Sequence, residues 1–387
     1  MKRRLLVGGA AAVLTAAALL LGGVFSTGKG AASPLTVAQL DRRGNAFAER
    51  GRETGDVSYY TRANAAYRRA LAAAPKDLPA TIGLGALALS RHDFRLGLEL
   101  GRRSLALSPS TAAAYGVVGD ALVELGRYQA AFATFDRMVS LKPSVSSYAR
   151  VSYARELLGD VPGAARAMEL AVESAVGEPE ALAWSHTQLG KLYWSHGRIA
   201  AAAHQYGLAL EVRPAYPSAL NALALVEAAR GHRPQAIALA RRASEILPLP
   251  QYVATLGDLL HGRAAKRQYA LVQAIARLER AGGVNVDLEI ALFDIDHGVR
   301  VDTVALARAA HAARPSIDGD DVLAWALARN GRCAEALHYS QQALRLGTRD
   351  AQKFFHRGAI ERCLGHAAAA QHWFARARAT NPYWRYR

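Results

Sequence analysis

"LGKLYWSHGRIAAAAHQYGLALEVRP", Leu189 to Pro214, places a glycine inside what otherwise reads as one helix, alanines inside a second, and a proline at the end. Small residues stand where a helix normally buries its largest. Gly190 and Ala202 leave no side chain at the crossing of two helices, so the backbones can approach closely, with Tyr193 and Tyr206 filling the space beside them. Gly197 permits the positive φ of a tight helix-to-helix turn, and Pro214 stops the second helix. One such hairpin cannot bury both faces of its helices, so it has to stack on neighbours.

The rest of the chain supplies those neighbours. Prolines 75, 109 and 143 are spaced 34 apart, as are 214 and 248, and a fixed period of this size marks a repeat architecture. In the frame of the quoted unit the positions are Leu189-Gly190, Tyr193, Gly197, Ala202, Tyr206, Ala209 and Pro214. An earlier unit repeats them as Tyr115, Val118-Gly119, Leu122, Gly126, Ala131, Phe135 and Pro143, and the last as Phe354, Gly358, Gly365, Ala370, Phe374, Ala377 and Pro382. This pattern resembles the tetratricopeptide repeat: an aromatic, then Leu-Gly, Tyr, Ala, an aromatic and Pro over 34 residues. Only the first aromatic departs in the quoted unit, His186 standing there with Trp184 nearby. The resemblance implies an all-α fold, an α-solenoid forming a right-handed superhelix of about ten hairpins over residues 33–387, strongest near 78–143, 183–248 and 351–382. Two stretches are irregular. "ERGRETGDVSYY" enlarges the first unit, and Gln251 to Gly283 has "GGV" in place of the proline.

At 51% hydrophobic residues the 387-residue chain can bury a large core, which excludes a disordered or fibrous class. Its net charge of +16 favours anionic surroundings. The opening segment has Lys2, Arg3 and Arg4 before an uncharged run from Leu5 to Phe25. Residues 1–32 therefore read as a signal peptide or a membrane anchor. The length of the run suits a spanning helix, whereas its alanines and glycines and the small residues Gly30-Ala31-Ala32 suit cleavage before Ser33. Either way the repeats are expected outside the cytoplasm, anchored or secreted. Cleavage would lower the net charge from +16 to +12 by removing Lys2, Arg3, Arg4 and Lys29.

In the family that this chain resembles, the first helix of each repeat lines a concave face. Residues three and four apart share one side of a helix. That side carries Asp120; Tyr153 and Glu156; Trp184, Lys191 and Trp194; Asn221; Asp258 and His261; Asp321 and Trp325, with Glu124 and Arg150 beside them. The stripe is aromatic and mostly acidic, whereas Arg102, Arg103, Arg127, Arg137 and Arg241 fall on second helices. It reads as a groove for an extended or helical peptide segment, with aromatic anchors and acids that select basic partners. The alternative for any one residue is packing between repeats. Of the Lys and Asn clamp that chaperone-binding members use for a terminal carboxylate, only Lys191 and Asn221 have counterparts.

Cys333 opens the second helix of the ninth unit and Cys363 closes the first helix of the tenth. Stacked antiparallel hairpins bring those ends together, so a disulfide is expected, with two small buried thiols as the alternative. No catalytic, cofactor or metal site is expected. The twelve histidines are dispersed. "DIDHG" at Asp294 to Gly298 resembles the start of a calcium loop, but Ala305 stands where the bidentate acid belongs. "SIDGDD" reads as helix-start chemistry, and "GKG" at Gly28 to Gly30 lacks the phosphate-loop pattern. The expected function is a non-catalytic scaffold that binds protein or peptide partners and meets the membrane through its N-terminal segment. A second reading is a basic helical repeat holding anionic polymer or nucleic acid on its outer surface. The acidic groove would repel phosphate, which counts against nucleic acid, and a small-molecule substrate is not expected either.

Overall fold

A computed structural model describes residues 35–299 and 302–384. The expected signal or anchor lies outside them. Among the described residues no helix is long and apolar enough to cross a membrane.

Within the described residues twenty helices form ten successive hairpins, each helix packing most closely on its hairpin partner. The first turn of the solenoid comprises α1 (Val37–Thr54) with α2 (Ser58–Ala73), α3 (Leu78–Ser90) with α4 (Phe94–Leu107), α5 (Ala112–Glu124) with α6 (Tyr128–Leu141), α7 (Val145–Leu157) with α8 (Val161–Ser174), and α9 (Pro179–Ser195) with α10 (Ile199–Val212). The second comprises α11 (Pro217–Ala229) with α12 (Arg233–Ile246), α13 (Pro250–Leu259) with α14 (Gly262–Ala281), α15 (Asp287–His297) with α16 (Thr303–Ala313), α17 (Ile317–Arg329) with α18 (Cys333–Ala343), and α19 (Ala351–Cys363) with α20 (Ala367–Thr380).

Local chemistry explains the boundaries. Asp77, Asp93, Asp160 and Asp302 each accept a backbone N–H three residues on, satisfying a donor that the first helical turn leaves free. Pro79, Pro162, Pro179, Pro217, Pro234 and Pro250 sit in first turns, where a missing N–H costs nothing. At Gly190 the structure refines the sequence reading, because the space a side chain would occupy is taken by the ring of Tyr206 rather than by a second backbone. The same ring-on-glycine contact recurs at Gly119 with Phe135 and at Gly358 with Phe374. In the seventh hairpin α13 has only 10 residues and α14 has 20, because no proline halts α14 before Gly282-Gly283.

Every hairpin turns its corner on a residue of positive φ: Gly55, His92, Gly126, Gly159, Gly197, Gly231, Gly262, Gly298, Gly331 and Gly365. The first five corners each meet the end of the hairpin five units later. Gly55 faces Leu247, Gly126 faces the Pro315 carbonyl, Gly159 the Gly347 carbonyl and Gly197 the Pro382 ring. His92 is the only non-glycine among the described residues with positive φ. Its Nδ1–H donates to the Asn285 carbonyl at 2.6 Å while the Asn285 N–H donates to the Arg91 carbonyl at 3.0 Å. The Ile317 N–H donates to the Tyr128 hydroxyl at 2.7 Å, Asn381 Nδ2 to the Trp194 carbonyl at 2.7 Å, and the Thr348 hydroxyl to the Leu157 carbonyl. The last five corner glycines have nothing within 4 Å of the place a Cβ would occupy. Five hairpins thus complete one turn, and the second turn lies directly on the first.

Cys333 and Cys363 are joined in a disulfide, their Cα atoms 6.2 Å apart, tying the ninth hairpin to the tenth.

Candidate functional site

The closure into two turns decides which residues of the concave stripe remain available. Asp120 on α5, Tyr153 and Glu156 on α7, and Trp184, Lys191 and Trp194 on α9 line one open cleft of about 1070 Å³ in the first turn. Five hairpins bring α1 round to α9, so Glu49 and Arg52 of the first hairpin complete its wall. Arg52 holds Glu49 through its Nε at 3.2 Å and reaches Glu180 at 3.0 Å, and Arg213 also pairs with Glu180.

Charges in the cleft are unevenly satisfied. Asp120 is clamped by Arg150 at 2.8 and 2.6 Å, in the two-pronged geometry that guanidinium and carboxylate favour. Lys191 has no ion pair, and the surrounding protein mass lowers its affinity for a proton. Glu156 also has no hydrogen bond or ion pair. Burial, with Asp350 and Asp318 nearby and Lys353 opposing them, pushes its carboxyl up to about 7. Tyr153 lies on the cleft floor, 38% exposed, its hydroxyl held well above the usual phenol range by the enclosing walls and the acids Asp318 and Glu124.

Beyond Tyr153, Glu156 and Trp194 the cleft leads to a smaller cavity of about 310 Å³ where the second turn meets the first. There Lys353 bridges Asp318 at 2.7 Å and Asp350 at 2.9 Å. The ammonium holds the Asp318 carboxyl below its ordinary value; at Asp350 burial pulls upward, but Lys353 and the backbone N–H donors outweigh it.

Six of the sequence-derived stripe residues are not in this cleft. Glu124 is locked to Arg314, which enters from the end of the eighth hairpin. Asp321 and Trp325 are each only 3% exposed and belong to the core. His356 stacks on the Trp325 ring at 4.2 Å and its Nδ1 bonds Asp321 at 3.0 Å, while Trp325 Nε1–H donates to Asp296 at 2.8 Å. Asp258 accepts from the Tyr269 hydroxyl and from His297, both at 2.9 Å. His261 lies past the end of α13, exposed, as the residue before α14, 2.5 Å from an Arg233 nitrogen. Asn221 is half-buried on α11, its side-chain oxygen buried without a partner. The reading of "SIDGDD" as helix-start chemistry holds for Ser316, which caps α17. Its acids do more: Asp320 pairs with His311 and Arg345, and Asp318 with Lys353.

Glu49 and Arg52 reach the cleft only through the five-hairpin closure, which the sequence does not show, whereas Glu180 stands on α9 itself, one turn before Trp184, at a position outside the sequence-derived stripe. Arg102, Arg103, Arg127, Arg137 and Arg241 are exposed as expected. Among the described residues no three His, Cys, Asp or Glu side chains converge as metal ligands.

The family model described as tetratricopeptide repeat matches residues 82–146 and 187–248, and supports the resemblance read from the sequence. No curated protein matches the chain. A solved tetratricopeptide repeat protein of Thermus thermophilus is similar at 23% identity, over 48% of this chain and 95% of its own, with a TM-score of 0.42. One from Parabacteroides merdae is 15% identical over 62% of this chain and 86% of its own, with a TM-score of 0.45. YrrB, described as having an unusual peptide-binding site, is 21% identical over 47% of this chain and 92% of its own, with a TM-score of 0.32.

Proposed function

We propose that the chain is a non-catalytic scaffold that holds an extended segment of a partner protein in the first-turn cleft, on the extracytoplasmic side of a membrane. One observation carries the reading. Tyr153, Trp184 and Trp194 surround an open cleft in which Lys191 and Glu156 have no partners of their own. Aromatic side chains offer large contact area at little entropic cost, and unpaired charges choose which segment docks. The expectation that acids alone select a basic partner is narrowed, since Asp120 is neutralised by Arg150 and the charges without ion pairs are the carboxyls Glu156 and Glu178 and the cation Lys191. The cleft therefore suits a segment carrying both signs.

Placement outside the cytoplasm is supported by Lys2, Arg3 and Arg4 before the uncharged run, and by a disulfide that an oxidising compartment would preserve.

Selection from a displayed random-peptide library, followed by affinity measurement, tests the reading. Selected peptides should lose at least about tenfold affinity to a Trp194→Ala/Lys191→Glu variant. They should be unaffected by Arg102→Glu/Arg103→Glu/Arg241→Glu on the outer surface. The reverse pattern, with binding abolished by moderate salt, would replace this reading with an outer surface that holds anionic polymer.

A further inference from the structure

On the other side of Arg52 from the cleft, the two turns border a second, half-open cavity of about 680 Å³, within the roughly 300–1,000 Å³ of small-molecule sites. Val57 and Tyr60 of the first hairpin form one wall. Val272, Ile290, Leu292 and Phe293 of the seventh and eighth hairpins form the other. The lining is mainly apolar, yet four acids border it, and three of them are engaged. Asp258 is held by Tyr269 and His297, Asp296 accepts from Trp325, and Glu289 pairs with Arg314 at 2.7 Å.

Glu279 is different. Its Oε2 is buried with no hydrogen-bond partner. Native structures rarely leave a carboxylate oxygen in that state, because desolvation without a compensating donor is costly. Burial and the nearby Glu289, opposed by Arg280 on its own helix, push the carboxyl up to about 7. The other charged or titratable groups facing this space are Asp258 and Asp296 from α13 and α15, Arg52 and Tyr60 from the first hairpin, and His92 from the second corner. Arg91 lies beside Tyr60. Among the residues that line the cavity four acids stand against one arginine and one histidine, so it favours a cation over an anion.

We propose that this cavity binds a small apolar monocation, whose aliphatic or aromatic body fills the space between the turns and whose single basic nitrogen donates to Glu279. The site shares only Arg52 with the peptide cleft and goes beyond the scaffold reading, which led to no expectation of a small molecule. Glu279 and Tyr60 stand on the seventh and first hairpins, so nothing in the linear sequence brings them together. A charged amine competes with the proton for Glu279. Binding is therefore strongest above about pH 7 and weakens as the carboxyl is protonated below it.

The test uses two isosteric probes, 4-phenylbutylamine and 4-phenylbutan-1-ol, titrated calorimetrically into the full chain. At pH 8 the amine should bind at least about tenfold more tightly than the alcohol, the usual advantage of a charge-assisted hydrogen bond. At pH 6 that preference should shrink severalfold. Glu279→Gln should bind both probes alike, and Ala254→Phe, which places a ring in the same cavity, should bind neither. Equal binding of the two probes to the unaltered chain, an amine preference that survives Glu279→Gln, or no binding of either probe would each overturn the proposal.

Discussion

Six residues before each corner, the two turns of the solenoid carry opposite chemistry. In the first turn that position holds Glu49, Ala86, Asp120, Tyr153 and Lys191, four of which line the open cleft. In the second it holds Leu225, Leu256, Leu292, Trp325 and Ala359, all buried or half-buried. Same helix face, same register, different fate. The first turn keeps this face polar and reachable, whereas the second spends it on packing. The contrast teaches that a repeat position has no fixed meaning in a solenoid that closes on itself: its use depends on which turn it occupies.

Trp325 and Lys191 are equivalent by register, yet one is core and the other lines the cleft. Trp325→Ala removes a buried ring stacked on His356 and strands Asp296 without its donor, and should cost about 3–5 kcal/mol of stability. Lys191→Ala removes an unpaired side chain and should stay within about 0.5 kcal/mol of the unaltered chain. Denaturant unfolding of the two variants side by side decides the matter. Comparable losses would mean that the first-turn face is structural as well.

The disulfide lies wholly within the second turn, and its reduction tests how the turns are coupled. The bond closes a separation of 30 residues, worth about 3–4 kcal/mol in the loop-entropy account. Hydrogen exchange after reduction should quicken in α17 to α20, and also at the Gly159 and Gly197 corners, because Thr348 and Asn381 dock there. Quickening confined to α18 and α19 would show that the turns are not coupled.

The corner glycines of the two turns differ in what stands beside them. Gly126→Ala and Gly231→Ala both place a Cβ at positive φ, costing about 1–2 kcal/mol. At Gly231 that Cβ points into open space, but at Gly126 it runs into the Pro315 carbonyl. Gly126→Ala should therefore lose at least about 1 kcal/mol more than Gly231→Ala, and equal losses would dissolve the inter-turn contact.

The hairpins were legible because most carry local signals in some combination: a capping acid or early proline, a corner glycine, or an aromatic ring facing a glycine. The cysteine pairing was legible for a related reason, since it joins adjacent units whose stacking follows from the hairpin itself. Placement of the stripe was not. Whether Tyr153 faces a cleft and Asp321 a core depends on how many hairpins complete a turn. That number is set by contacts such as Tyr128 with Ile317 and His92 with Asn285, nearly two hundred residues apart, and no local periodicity encodes them. His92 left the clearest trace, as the one corner where a side chain replaces glycine to reach the second turn.

The smallest expected effect concerns protons and separates two carboxylates in the first turn. Burial raises both Glu124 and Glu156, but Arg314 holds Glu124, whereas Glu156 has no partner and titrates near 7. In the unfolded chain a glutamate titrates near 4.3. Between those values the folded chain holds a proton on Glu156 that the unfolded chain has released. Stability is therefore greatest below the unfolded value and falls as pH rises through about 7. Screening by the open cleft should limit the loss to about 1 kcal/mol. The urea midpoint of Glu156→Gln should fall less than that of the unaltered chain between pH 5 and pH 8, and Glu124→Gln, which leaves Arg314 without that partner, should be destabilised at both. A peptide presenting a basic side chain to Glu156 would favour the ionised carboxylate and so cancel the pH trend on binding. If the trend persists in the complex, the cation sits elsewhere in the cleft and Glu156 is only a wall.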